Sequence, residues 1–190
     1  MVRSAIILLC ASLLVARVHA QAEQPFVRAG LLKFTATICP ALLLDAGTTN
    51  IHAGGSAEYF VEDRISFKGE TFWFLDGQQR NAPLQQNSQL SFGPQFHHMN
   101  GRLDLSAGFA PGLSLSRPNA TMDAAAPQVR LLPHVSISGG VTFYVWDHMH
   151  FFLNARYVHA RYASVPEGSV ALDELMLYGG LGWQIRVKHR

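Results

Sequence analysis

Residues 103–116 alternate strictly between two kinds of side chain. Leu103, Leu105, Ala107, Phe109, Pro111, Leu113 and Leu115 fall on one side, and Asp104, Ser106, Gly108, Ala110, Gly112, Ser114 and Ser116 on the other. Residues 174–187 repeat the pattern, with Leu175, Leu177, Gly179, Leu181, Trp183, Ile185 and Val187 opposing Glu174, Met176, Tyr178, Gly180, Gly182, Gln184 and Arg186. Successive side chains of a strand point to opposite faces, so a period of two marks strands with unlike faces. Helical periodicity is poor, and no stretch reaches the ~18 consecutive apolar residues of a membrane-crossing helix.

The same reading along the chain predicts eight strands, at roughly 31–44, 51–61, 65–75, 89–99, 103–116, 134–145, 150–162 and 174–187. Their connections alternate in length. Glu62-Asp63-Arg64, Asn100-Gly101-Arg102 and Trp146-Asp147-His148-Met149 read as tight turns, and Asn-Gly is a strong hairpin signal because its central positions favour φ > 0. Longer polar loops are expected at 76–88, 117–133 and 163–173, with a shorter one at 45–50. Short turns at one end and long loops at the other predict an all-β fold, an eight-stranded antiparallel up-and-down transmembrane β-barrel. Pro40, Pro94 and Pro111 fall inside strands, where a missing N–H predicts a bulge or a shifted register.

Composition indicates which face points inward. Only 15% of residues are charged, against about 25% in soluble domains, and a surface that is not aqueous would explain the deficit. The apolar face carries no Asp, Glu, Lys or Arg in any strand body. The opposite face is rich in Gly and Ser, which suits a narrow lumen that side chains just fill. Its charges balance: Lys33, Lys68, Arg156 and Arg186 are expected to face Glu58, Glu70, Asp104 and Glu174, since buried charges must be paired. Lys68 is placed within reach of Glu58 or of a carboxylate further round the lumen. Tyr59, Trp73, Tyr157 and Trp183 fall on the apolar face near strand ends, where membrane girdles sit. A soluble eight-stranded binding barrel would reverse the two faces and remains the alternative architecture.

The first residues follow secretory logic. Arg3 precedes an apolar run from Ala5 to Ala16, and Val18-His19-Ala20 offers small residues at a cleavage position. Residues 1–20 are therefore expected to be a cleavable signal peptide, 21–30 a periplasmic extension and 31–190 the barrel. Removing Arg3 and Arg17 lowers Lys+Arg from 15 to 13, equal to the 13 Asp+Glu. A neutral mature chain with no basic stripe argues against nucleic acid as a partner. Cys39 is then the one remaining cysteine, too few for an internal disulfide.

The hairpin Glu58-Tyr59-Phe60-Val61-Glu62-Asp63-Arg64-Ile65-Ser66-Phe67-Lys68-Gly69-Glu70 has an aromatic strand end, a charged tight turn and a strand with an inward Glu. In this the chain resembles small outer-membrane barrels of the OmpA and OmpX type, over roughly residues 30–187. The resemblance implies a monomer in the outer membrane of a Gram-negative bacterium. Its partners would be outer-membrane lipid, the barrel assembly machinery and an extracellular partner not identified by the sequence. Such barrels commonly end on an aromatic residue, whereas Lys188-His189-Arg190 follows Val187 here.

No motif for catalysis, cofactor or metal stands out. His134-Val135-Ser136 has the His-x-Ser spacing of barrel lipases that deacylate lipid A, but both side chains are expected to face the lumen without an orienting acid. His97, His98, His148 and His150 gather near one barrel end, a spacing open to Zn or Cu, with only Asp147 as a further ligand. Gly139-Gly140 and Gly179-Gly180 lack the helix a phosphate loop needs. The expectation is thus a non-enzymatic barrel without cofactor, acting structurally or through its extracellular loops. A narrow pore, a lipid-modifying enzyme and a soluble periplasmic binding barrel are the competing classes. N-terminal sequencing of the exported protein is expected to begin at Gln21; an uncut chain would point to an anchored protein.

Overall fold

Paired alternating segments close on themselves in the computed structural model, which describes residues 26–77, 84–118, 128–164 and 168–187. The strands are β1 (Leu31–Leu43), β2 (Thr48–Glu62), β3 (Ile65–Gly77), β4 (Leu84–Asn100), β5 (Leu103–Pro118), β6 (Arg130–Trp146), β7 (Met149–Ser164), β8 (Gly168–Ala171) and β9 (Glu174–Arg186). Each pairs antiparallel with its neighbour in sequence as far as β7. β9 then pairs with both β7 and β1, which closes the ring. β8 continues β9 in one register against β7: Val158 pairs with Glu174, and three residues further along each strand Arg161 pairs with Ala171. The nine strands therefore make eight staves, the last interrupted at Leu172 and Asp173.

The loops are shorter than the sequence suggested. β3 runs on to Gly77, β4 starts at Leu84, β5 reaches Pro118, β6 starts at Arg130, and β8 occupies part of the expected 163–173 loop. Polar residues at strand ends conceal the strand because alternation is weak there. The tight turns stand where the sequence put them, with Gly101 at φ 62° after Asn100. The signal-peptide expectation at 1–20 lies outside the described residues. Within the expected 21–30 extension, residues 26–30 lie against the barrel mouth. Val27 is buried with Leu31, Phe60 and Tyr144, and Phe26 stacks on Tyr144 at 5.4 Å.

The prolines neither bulge nor shift their strands. Pairing of β4 with β5 lapses between Ser91–Gly112 and Gln95–Gly108, then resumes in the same register. Pairing of β1 with β9 lapses between Thr35–Gly182 and Ala41–Met176 and also resumes unchanged. Pro94 and Pro111 lie in the first gap and Pro40 in the second. A proline lacks one ladder donor, so the bond is lost on one side only. Thr37 Oγ1 donates to the Gly179 carbonyl at 3.0 Å across the second gap. The register shifts that do occur lie elsewhere, at Ile51/His52, Phe60/Glu62, Leu84/Gln86 and Tyr144/Trp146.

Apolar residues face out and polar residues face in. Ile38 is 71% exposed, Leu131 61% and Phe96 60%, while Arg156, Asp104 and Glu174 are at most 1% exposed. Five inward glycines explain how so narrow a lumen holds large side chains. Gly54 pairs with Phe72, Gly108 with Gln95, Gly112 with His134, Gly140 with Asn154 and Gly182 with His150. In each pair the larger side chain lies over its glycine, where a Cβ would collide with it. At Gly93 no long side chain lies over the glycine, and a Cβ would meet the Phe109 carbonyl and Ala110 instead. Gly93→Ala should therefore destabilise the refolded barrel by about 1–3 kcal/mol. Gly108→Ala should cost less, since the Gln95 amide can swing away. Urea unfolding in detergent should show that order; equal midpoints would mean that the backbone at Ala110 yields.

Candidate functional site

The site is the lumen, and alternation decides what enters it. Inward positions of adjacent strands bring Lys33, Glu58, Lys68, Glu70, Asp104, Arg156 and Glu174 inside, all buried. Arg186 is a correction to the expected set. It is exposed at the end of β9, paired with Leu31. The lumen ends above it at Val27, Leu31, Phe60 and Tyr144, so its inward parity leads to solvent.

Three polar layers stack inside the barrel. In the lowest, Lys33 Nζ lies 3.1 Å from Glu58 and 3.8 Å from Asp104. His97 stands between the same carboxylates, with Nε2 2.9 Å from Glu58 and Nδ1 2.9 Å from Asp104. Ser66 Oγ donates to Glu58 at 2.6 Å. A ring that faces carboxylates through both nitrogens can donate to both only with both protonated. Lys33 Nζ also lies over the Phe60 and Tyr144 rings, 5.4 and 5.7 Å from their centroids.

In the middle layer Lys68 pairs with Glu70 at 2.7 Å, two residues along its own strand. Glu58 stands opposite Lys68 in the β2–β3 register but is held by Lys33 and His97 instead. Glu70 also accepts from Tyr178 at 2.8 Å and lies 3.8 Å from Arg156 Nε. Arg156 donates to Ser91 at 2.9 Å, and its guanidinium lies 4.9 Å from the Phe72 centroid. The upper layer is built on Glu174, which no cation approaches within ion-pair distance among the described residues. Three side-chain amides hold its carboxylate instead: Asn50 at 3.0 Å, Asn87 at 2.9 Å and Gln89 at 2.5 Å.

Apolar groups separate and cap these layers. Val27, Leu31, Phe60 and Tyr144 close the lower mouth. Cys39, Phe72, Phe152, Met176 and Tyr178 cluster at mid-height, and Leu43, Leu84, Leu132, Tyr162 and Leu172 cluster at the upper end. A polar cavity lined by residues including Lys33, Ser56, Glu58 and Lys68 has room for about one water. With His97 protonated, the luminal charges balance four against four, and His97 stands in the place expected for Arg186.

Sequence reasoning missed His97 as a luminal partner of Glu58 and Asp104, although its alternation with Gln95 signalled an inward position. It missed the amide cradle of Glu174 altogether, because Asn50, Asn87 and Gln89 come from distant strands. The other histidines do not converge. His98 and His148 are exposed, while His150 is buried with Nδ1 2.7 Å from Gln184. Among the described residues, no cluster of three or more His, Cys, Asp or Glu could hold a metal. His134 and Ser136 both face the lumen, and each has another partner: His134 Nδ1 lies 2.7 Å from Ser114 Oγ, and Ser136 donates to the Ala110 carbonyl at 3.1 Å. Trp73 and Trp183 are exposed outward, and Tyr59 and Tyr157 are half-buried. Trp183 pairs with Phe34 and with Met149, and Tyr59 with Phe67, in an aromatic belt at the tight-turn end.

No protein-family model and no curated protein sequence matches this chain. Solved structures do. The N-terminal β-barrel domain of Pseudomonas aeruginosa OprF aligns at TM-score 0.60 and 12% identity, over 83% of this chain and 98% of that one. Neisserial surface protein A aligns at TM-score 0.57 and 12% identity, over 83% and 96%. The attachment invasion locus protein Ail of Yersinia pestis aligns at 0.50 and 12%, over 83% and 99%. At this identity the likeness is one of fold.

The layers predict unequal costs for removing their cations. Lys33→Met leaves two carboxylates, Glu58 and Asp104, to share His97 and the Ser66 and Tyr144 hydroxyls, whereas Lys68→Met leaves the single carboxylate of Glu70 with the Arg156 guanidinium and Tyr178. Lys33→Met should cost about 3–5 kcal/mol, and Lys68→Met clearly less. Urea titration of the refolded barrel, read by heat-modifiable gel mobility, checks this; an unchanged midpoint for Lys33→Met would mean that its ammonium reaches water.

Proposed function

We propose that this eight-stranded barrel, folded like small barrels of outer membranes, resides in the outer membrane of a Gram-negative bacterium with a closed lumen. It acts structurally or through surface interactions at its long-loop end, rather than as a pore or an enzyme. The filled lumen carries this reading. Apolar clusters close both ends, the charges between them are held by ion pairs and amides, and a small polar cavity among them has room for about one water. Solutes need a continuous path, and moving Arg156 or Glu174 aside would strip buried charges of their partners.

The outer surface supports the bilayer reading. A belt of exposed Leu, Ile, Val and Phe surrounds staves whose backbone groups are paired around a closed ring, and hydrocarbon tolerates only such closed or helical structures. A soluble binding barrel needs the opposite arrangement, with an apolar ligand chamber inside. An acyl-transfer enzyme of the His-x-Ser kind needs His134 and Ser136 on the lipid side, and both face the lumen. The names of two structural neighbours, a surface protein and an attachment invasion locus protein, agree with a role at the cell surface.

The refolded protein in planar bilayers should give no regular conductance steps. Well-resolved steps of constant size would show that the lumen opens, and would make the chain a narrow pore.

A further inference from the structure

Lys33 reaches across the bore to a carboxylate on the opposite side. Its stave, β1, and that of Asp104, β5, stand four steps apart either way round the ring. Lys33 Nζ lies 3.8 Å from Asp104 Oδ2 and 3.1 Å from Glu58 Oε2. His97 touches both carboxylates, through Nε2 at Glu58 and Nδ1 at Asp104, each at 2.9 Å. The Tyr144 hydroxyl donates to Asp104 Oδ2 at 3.5 Å. The side chains of Lys33, Glu58 and Asp104 are at most 6% exposed, and the Phe60 and Tyr144 rings flank the Lys33 nitrogen. A nucleophile, a carboxyl group and a second carboxylate are thus shut together behind Val27, Leu31 and Phe60.

We propose that Lys33 and Asp104 join in an amide bond, formed by the folded barrel itself with loss of water. An ammonium has no lone pair, so Lys33 must first lose a proton, and Glu58 is placed to take it. His97, protonated on both nitrogens, gives its Nδ1 proton to Asp104. The neutral amine then adds to Asp104 Cγ and forms the C–N bond, while the Tyr144 hydroxyl steadies the oxygen that gains charge. Glu58 returns its proton to the departing hydroxyl, the C–O bond breaks and water leaves. The surplus proton on nitrogen goes back to His97. One ammonium and one carboxylate become one amide and one water, and Glu58 and His97 end as they began.

Three features favour the bond over a lasting ion pair. The fold holds the reacting groups together, so the step is intramolecular. Amide formation removes two buried charges that the lumen must otherwise balance. Water to reverse it is scarce, since the adjoining cavity, lined by Lys33 and Glu58 among others, has room for about one molecule. Glu58 stands nearer the Lys33 nitrogen and serves as the base, which leaves Asp104 as the acylated group. The product is a covalent strut across the bore, tying β1 to β5 in the lowest layer. The reaction needs the closed lumen, whatever membrane surrounds the barrel.

The test is the intact mass of the full chain, taken in denaturant before refolding and again after refolding into detergent micelles. Refolding should lower it by the mass of one water molecule. Trypsin should then release a branched peptide joining residues 29–64 to residues 103–130, because an acylated Lys33 is not cut and Pro118 blocks cleavage after Arg117. Lys33→Arg keeps the charge and should keep the full mass. Glu58→Gln keeps both reacting groups and should slow the loss of water about a hundredfold. Heat-modifiable mobility shows that each variant has folded. A refolded wild-type chain of unchanged mass overturns the proposal, and so do equal rates in the wild type and Glu58→Gln. Loss of water without the branched peptide overturns it too, since the dehydration would then lie elsewhere, or at Glu58, whose peptide already contains Lys33.

Discussion

Closing eight staves into a ring leaves a lumen with little room for water, and the rest of this structure follows from that constraint. An inward charge cannot rely on hydration, so it must find a counter-charge or several hydrogen-bond donors among the few side chains that reach it. Lys33 and His97 share two carboxylates, Lys68 and Arg156 share one, and Glu174 is held by three amides. Some of these partners come from non-adjacent staves, as Lys33 and Asp104 or Arg156 and Glu70 do, so the network ties distant staves together as well as neutralising charge. The same confinement explains the inward glycines. A large side chain fits the bore only by lying over the neighbouring stave, and a glycine in register makes space for it.

The outer surface answers a different requirement. Lipid gives apolar side chains nothing to escape from and gives backbone polar groups no partners. The belt can therefore be almost featureless in chemistry, provided that the ladder is closed. Two lapses in the ladder, near Pro94 and Pro111 and near Pro40, test this tolerance. Each leaves the register intact, and at the second a threonine hydroxyl reaches across to a carbonyl.

Much of this was legible in the chain itself. Strict alternation in 103–116 and 174–187 located strands to within a few residues, because one residue of slip would turn every apolar side chain inward. The tight turns were legible from Asn100-Gly101 and the charged Glu62-Asp63-Arg64. Strand ends were not, because a strand that projects beyond the lipid no longer needs an apolar face. β4 accordingly starts at Leu84 within what reads as a polar loop. Arg186 shows the related limit: alternation reports the face of a strand, and cannot report where along the axis the lumen stops.

By itself, the sequence determined the fold class, the number of staves, and which side chains share a face, because a period of two is a local property of each strand. Only the tertiary structure decided who meets whom inside. His97 joins Glu58 to Asp104, Lys68 turns to Glu70 rather than to Glu58 opposite it, and Glu174 finds Asn50, Asn87 and Gln89 instead of a cation. Apart from Lys68 and Glu70, which share a strand, and His97 and Asp104 on neighbouring strands, these contacts join strands that are not adjacent in the ring. They depend on the stagger of the closed ring and on the few free ångströms within it, quantities that no single strand encodes.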